Sequence, residues 1–235
     1  MVRPPKALLF DVFGTVVDWR GSVVAALAQH FGPRGVSRDW QQFCLDWRGL
    51  YQPAMESVRG GVRDFVSLDV LHRENLATLA VRDGIDLGPE DLDRLTRIWH
   101  RLDPWPDSVG GLARLRAGHV VASLSNGNIA LMVALARHAG LVWDAILGAE
   151  IARAYKPDPA VYLRAAEALD LPAGDCMMVA AHNDDLRAAR ALGMQTAFVL
   201  RPTEYGPGQT ADLSAEDDWD IVTDSLTGVA AARGG

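Results

Sequence analysis

Residues Ala7-Leu8-Leu9-Phe10-Asp11-Val12-Phe13-Gly14-Thr15-Val16-Val17-Asp18 constrain this chain more than any other stretch. The run entering Asp11 is apolar without alternation, as expected of a strand buried on both faces in a parallel sheet. Gly14 lets the backbone turn sharply just beyond it. Asp11 then stands at the carboxyl edge of a sheet, outside which open α/β folds hold their ligands. A lone aspartate there is as easily a solvated loop residue. Three later stretches argue otherwise.

From about residue 21 to residue 101 the apolar spacing is helical, with no convincing strand. Ser22 is expected to cap a helix carrying Val23, Val24, Leu27 and Phe31, stopped by Gly32-Pro33. A second helix is expected from Ser37 through Trp40, Phe43 and Trp47 toward Tyr51, with others over 68–82 and 89–100. Asp103-Pro104-Trp105-Pro106 closes this block, because two prolines cannot continue a helix. Strand and helix then alternate, the mark of βαβ units. Strands are expected at 120–124, 145–147, 177–180, 196–200 and 219–222, with an irregular loop at 201–213. The reading is a doubly wound, Rossmann-like α/β core with a parallel sheet, built from residues 1–18 and 104–235, and an all-helical cap domain inserted at 19–103. Asp11 would floor the cleft between them, a favoured place for a small ligand.

Composition narrows the partners. The chain has 235 residues and a net charge of −7, with a pI near 5.3, which argues against nucleic acid or an anionic membrane as partner. Cys44 and Cys176 are too few for a disulfide framework, and no Cys/His cluster suggests structural zinc. The basic Met1-Val2-Arg3-Pro4-Pro5-Lys6 start leads into an apolar run that Asp11 interrupts early, so no signal peptide is expected. No stretch approaches the ~20 apolar residues of a membrane helix. A soluble, cytoplasmic protein is expected.

Four segments should converge above the sheet: Asp11 to Thr15, Ser125-Asn126-Gly127, Tyr155-Lys156-Pro157-Asp158, and His182-Asn183-Asp184-Asp185. Singly, each has an ordinary explanation as a turn, a solvated charge or a helix cap. Their recurrence at successive strand ends is what points to chemistry.

In these segments the chain resembles the haloacid dehalogenase superfamily. That pattern is a nucleophilic Asp in Asp-x-x-x-Thr, a Ser or Thr ending a core strand, a Lys and an acidic motif, here Asp11 and Thr15, Ser125, Lys156, and Asp184-Asp185. Phosphatases of the superfamily carry a second Asp two residues after the nucleophile to protonate an alkoxide, whereas this chain has Phe13. A halide is a very weak base and leaves without a proton. The phosphatase Gly-Asp pair is also replaced, by Ala180-Ala181. The type II 2-haloacid dehalogenases, which hydrolyse short 2-haloalkanoates without metal or cofactor, match better through Leu124-Ser125-Asn126-Gly127, Tyr155-Lys156-Pro157-Asp158 and Val161-Tyr162.

The resemblance implies that Asp11 displaces halide to form an ester that water hydrolyses. Lys156 would keep Asp11 ionised and Thr15 orient it. Ser125 and the backbone N–H groups at Val12 and Phe13 would hold the substrate carboxylate, while Arg48, in Trp47-Arg48, and Asn126 receive the halide. Asp185, with His182, would position the water; Ala180-Ala181-His182 stands where typical members have Ser-Ser-Asn, so the serines are absent and His182 replaces the amide. Tyr162 would fix Lys156, and Trp47 with Tyr51 and Phe13 exclude bulk water. No metal is implied, and a homodimer acting on the (S) isomer is. Two rivals remain open: a magnesium-dependent small-molecule phosphatase on the same fold, and a non-catalytic ligand-binding member.

Overall fold

A computed structural model describes residues 4–233. The Met1-Val2-Arg3 start of the segment read for a targeting signal lies outside the described residues, as do Gly234 and Gly235. β1 (Ala7–Phe10) leads to a two-residue strand, β2 (Val17–Asp18), and then to α1 (Trp19–Phe31), α2 (Trp40–Gly49), α3 (Tyr51–Arg59), α4 (Leu68–Arg82) and α5 (Pro89–Thr96). A 3₁₀ turn, Arg97–His100, follows α5, and β3 (Asp103–Pro104) pairs antiparallel with β2. This ribbon ties the chain's exit toward the helices to its return. The remainder alternates: α6 (Ser108–Leu115), β4 (Val120–Ser125), α7 (Ile129–Ala139), β5 (Ala145–Gly148), α8 (Ala149–Ala152), α9 (Pro159–Ala168), β6 (Cys176–Ala180), α10 (Asn183–Ala191), β7 (Gln195–Val199), β8 (Ile221–Thr223) and α11 (Leu226–Ala232).

The main sheet has the order β5-β4-β1-β6-β7-β8, and every neighbouring pair is parallel. From β1 the chain builds outward through β4 and β5, then crosses back to β6 on the other side of β1. That reversal opens a crevice above β1, and Asp11 is the first residue beyond it. Both faces of β1 are buried, as its unalternating sequence requires. Leu8 and Phe10 join a cluster that runs on into Trp19, Leu27, Trp47, Leu68 and Trp99 of the helical segment. Ala7 and Leu9 face Leu124, Tyr162, Met178 and Phe198 on the other side. Burying each such Leu or Phe contributes about 1.5–3 kcal/mol.

Local differences from the sequence expectation have physical reasons. Asp18, not Ser22, caps α1, its carboxylate accepting the Gly21 N–H at 2.8 Å; β2 has already set its backbone. The Ser22 hydroxyl instead donates to the Asp18 carbonyl at 2.6 Å and accepts the Asp103 N–H at 2.8 Å, fastening the ribbon. Asp39 takes the cap expected of Ser37, accepting the Gln42 N–H at 3.0 Å, and the helix expected to run on toward Tyr51 divides at Leu50. Trp219 stays outside β8 because its indole N–H is spent on the Asn183 side-chain oxygen. Among the described residues no helix is long and apolar enough to cross a membrane.

Candidate active site

The floor of the crevice is a chain of charge-assisted hydrogen bonds. Asp11 accepts from the Thr15 hydroxyl at Oδ2 (2.8 Å) and from the Lys156 ammonium at Oδ1 (2.9 Å). Lys156 also donates to Asp185 Oδ2 at 2.5 Å, and the Tyr162 hydroxyl donates to Asp185 Oδ1 at 2.6 Å. Thr15 Oγ1 accepts the Ala181 N–H at 2.8 Å, and Asn126 Oδ1 accepts the Lys156 N–H at 2.8 Å. The ends of β1, β4 and β6 are thereby laced to the segment between α8 and α9 that carries Lys156. Burial pushes the Asp11 carboxyl up, but the Lys156 charge and the hydrogen bond from His182 outweigh it and hold the group far below the usual carboxylate range. Burial works against the Lys156 charge too, yet Asp11 and Asp185 raise its pKa.

His182, the residue before α10, lies between two carboxylates. Its Nδ1 is 3.3 Å from Asp11 Oδ2, and its Nε2 is 3.0 and 3.2 Å from the two oxygens of Glu204. Glu204 is only 1% exposed and also accepts the Trp19 indole N–H at 2.9 Å. Burial disfavours a charged imidazole, but Glu204 and Asp11 together raise His182 well above the usual histidine value. Gly14, at φ +88°, makes the room: a Cβ there would come within 2.2–2.7 Å of the Glu204 carboxyl group.

The opposite wall is aromatic. The Arg48 guanidinium lies 3.9 Å from the centroid of the Tyr51 ring and 5.4 Å from that of Trp19. Its Nε and Nη1 have no hydrogen-bond partner among the described residues. Burial opposes the Arg48 charge, and the neighbouring Tyr205, Tyr51 and Glu204 outweigh it, so the guanidinium stays ionised. Behind it His72 stacks on Trp99 with centroids 4.1 Å apart, and neither ring nitrogen has a hydrogen-bond partner among the described residues. Burial and the Arg48 charge lower the His72 pKa to about 3.

Between the two walls is a cavity of about 410 Å³ lined by, among others, Asp11, Phe13, Arg48, Asn126, Lys156, Tyr162, His182 and Asp185. A groove of about 480 Å³ near Gln29, His30, Arg94 and His138 is larger but holds no comparable cluster. Of the other residues expected at the site, Thr15 lies just beneath the cavity on Asp11. Ser125 is fully buried, its Oγ accepting the Gly127 N–H at 3.0 Å to shape the turn that presents Asn126. Val12 is fully buried; its carbonyl accepts from Val16 and Val17 to close the loop after β1. Trp47 is fully buried and donates its indole N–H to the His72 carbonyl at 3.0 Å, behind the cavity wall. Asn183 turns away, holding Asp212, the Ser214 carbonyl and Trp219. The residues that sequence reasoning missed are Glu204 and the cavity-lining Tyr205 and Asp212, all from the loop after β7. The available signal was that a strand-end loop emerges at the same sheet edge as Asp11. Among the described residues no group of three His, Cys, Asp or Glu side chains is placed to hold a metal ion.

Comparison with known proteins fits this geometry. A model of the haloacid dehalogenase-like hydrolase family matches residues 5–193. The (S)-2-haloacid dehalogenase of Xanthobacter autotrophicus is 30% identical over 200 residues, spanning 83% of this chain and 75% of that protein. Two crystal structures superpose closely. A defluorinating L-2-haloacid dehalogenase gives a TM-score of 0.97 at 47% identity, covering 99% of this chain and 96% of its own. A second L-2-haloacid dehalogenase gives 0.96 at 48% identity, covering 98% and 99%.

Proposed function

The chain belongs to the haloacid dehalogenase-like hydrolases, and from that premise we propose that it is a hydrolytic dehalogenase of short 2-haloalkanoic acids with Asp11 as nucleophile. The observation that carries this reading is the pairing across one cavity of an ionised, twice hydrogen-bonded Asp11 with a half-buried Arg48 whose Nε and Nη1 have no hydrogen-bond partner among the described residues. An Asp11 carboxylate oxygen attacks the halogen-bearing carbon. The carbon–halogen bond breaks, the halide leaves with the electron pair, and an aspartyl ester remains. Lys156 stabilises Asp11 as the anion, and Thr15 fixes its orientation.

Arg48 and Asn126 receive the halide, in a wall that Phe13 and Tyr51 keep apolar, where fixed donors act at full strength. The substrate carboxylate is held by backbone N–H groups at Val12 and Phe13, with Ser125 acting on the turn that follows it. Asp185 is held by Lys156 and Tyr162 and helps to seat the water that attacks the ester carbonyl. Phe13 counts against phosphate-ester chemistry, because it faces the cavity where an alkoxide leaving group would need an acid. We take residues 1–18 and 104–235 as the core domain and 19–103 as the cap. The resemblance further suggests a cytoplasmic homodimer; light scattering on the purified protein reads the oligomeric state.

A single turnover in heavy-oxygen water tests the chemistry. Label should enter the Asp11 side chain first, and label found only in the hydroxy acid would remove the covalent step. A halide-release screen of bromo-, chloro- and fluoroacetate and both 2-chloropropionate isomers, with and without chelator, sets the substrate range. Turnover of the (S) isomer unaffected by chelator is the expected result.

A further inference from the structure

Ester hydrolysis needs a group to take a proton from water, and the Asp185 carboxylate is poorly placed to do so alone. Both its oxygens already accept short hydrogen bonds, from Lys156 and Tyr162. His182 is differently situated. One of its nitrogens faces the Asp11 carboxylate at 3.3 Å and the other is gripped by Glu204. Glu204 is itself fixed, accepting from Trp19 and packed against the Cα of Gly14. Cavity access, a second carboxylate on the far nitrogen and a ring held in one orientation are the geometry of a base with its orienting partner.

We propose that His182 handles the protons of ester hydrolysis and that Glu204 is the positioning residue that holds its ring against Asp11. The inference rests on Asp11 being the nucleophile. The charged groups that share the cavity with the ring are Asp11 beyond β1, Lys156 and Asp185 across the floor, Arg48 from α2, Asp184 from α10 and Asp212 from the loop after β7, with Glu204 of that loop on its far nitrogen. In the free enzyme His182 carries a proton shared between Asp11 and Glu204. Esterification removes the Asp11 charge, so the ring loses one of its two anionic partners and releases that proton to solvent. Water then bonds to Cγ of Asp11 while its proton passes to Nδ1. As the bond from Cγ to the ester oxygen breaks, the electron pair goes to that oxygen and the imidazolium supplies its proton. Asp11 is left as the carboxylic acid and returns its proton to Nδ1. One haloacid and one water thus yield one hydroxy acid, one halide and one proton.

The test separates the two half-reactions by rapid-quench halide release and intact-protein mass measurement, using (S)-2-chloropropionate. In Glu204→Gln, ester formation should stay within about threefold of the parent. Ester hydrolysis should slow about 10–100-fold, giving a halide burst of one equivalent and an accumulated adduct. Loss of the Glu204 charge lets His182 shed its proton more easily, so the acid limb of the hydrolysis rate should move to lower pH. His182→Ala should accumulate ester as well, and adding Glu204→Gln to it should slow hydrolysis no further. Should Glu204→Gln fail to fold by circular dichroism, ester accumulation in His182→Ala and partial recovery of hydrolysis in Glu204→Asp carry the test. Equal slowing of both steps, additive effects in the double variant, or an unmoved acid limb would overturn the proposal. If the parent enzyme forms no Asp11 ester at all, it is the nucleophile assignment that fails.

Discussion

The two walls of the cavity solve opposite problems with the same kinds of group. On the floor, both oxygens of Asp11 and both of Asp185 receive a donor, and the histidine there lies between two carboxylates. On the roof, the Arg48 guanidinium is half-buried against Tyr51 and Trp19, and the His72 ring is buried behind it on Trp99; among the described residues Nε and Nη1 of Arg48 and both His72 ring nitrogens have no hydrogen-bond partner. Leaving a buried donor unpaired costs about 1–3 kcal/mol, more when it is charged. The fold therefore stores unfavourable energy above the nucleophile and almost none around it. A floor satisfied from within holds a reactive carboxylate in one place, while a roof short of acceptors favours an arriving anion. Burial alone distinguishes neither wall; the hydrogen-bond accounting does.

The sharpest way to break this comparison is to remove the floor's purpose. Asp11→Asn keeps the side-chain shape but not a nucleophilic anion, and halide release should fall by about 10⁴-fold or more, read as chloride from (S)-2-chloropropionate. The roof should respond less. Arg48→Ala should lower kcat/KM by about 10²–10³-fold, the cost of one preorganised donor group. Arg48→Lys should recover little of it, because an ammonium keeps the charge but not the planar stacking on Tyr51. Full recovery in the Lys variant would show that charge alone suffices there, and parent-like activity in Arg48→Ala would remove Arg48 from the halide's path.

The walls also differ in how far they could be read from the chain. Asp11, Lys156 and Asp185 were legible because backbone topology brings them to one sheet edge: Asp11 directly follows β1, Asp185 lies in the first turn of the helix after β6, and Lys156 comes just after the short helix that follows β5. Phe13 was legible for the same reason. Arg48 stood out only through resemblance, and His72 and Trp99 were just apolar-face positions on helices, since periodicity reports that a side chain points inward and not what it stacks upon. Glu204 was invisible. It lies in a loop with no period, and only the pairing with His182 and Trp19 in three dimensions gives it meaning. Asn183 shows the converse error, a strand-end amide whose hydrogen bonds belong to a neighbouring loop.

Tyr162 probes the floor more gently. Tyr162→Phe deletes one donor to Asp185 and leaves Lys156 in place, so kcat should fall by no more than about tenfold, in keeping with about 1 kcal/mol for a single hydrogen bond. A loss as large as that of Arg48→Ala would mean that the floor is as dependent on single donors as the roof.

The smallest effect on catalysis, and the cleanest on stability, belongs to His72. Burial first, and the Arg48 charge second, depress its folded pKa to about 3 from the ordinary 6.5. As pH falls below 6.5 the unfolded chain binds a proton there that the folded chain refuses, so stability is lost progressively between 6.5 and 3. Asp11, with a depressed carboxyl pKa, loses its stabilising share only on acidification through and below the ordinary carboxylate value of 3.8. His182 has the opposite sign: its raised pKa stabilises the fold at low pH, and that share is lost only as pH climbs above 6.5 toward the raised value. At pH 4.5 the His72 share amounts to about 2–3 kcal/mol, on the order of 5–10 °C in Tm for a chain of this length. His72→Phe keeps a ring against Trp99 and removes the proton site. Its Tm difference from the parent should therefore shift in its favour by that amount between pH 7 and pH 4.5, whatever the offset at neutral pH. A constant offset would mean that His72 is protonated in the fold, and that the roof carries a second cation beside Arg48.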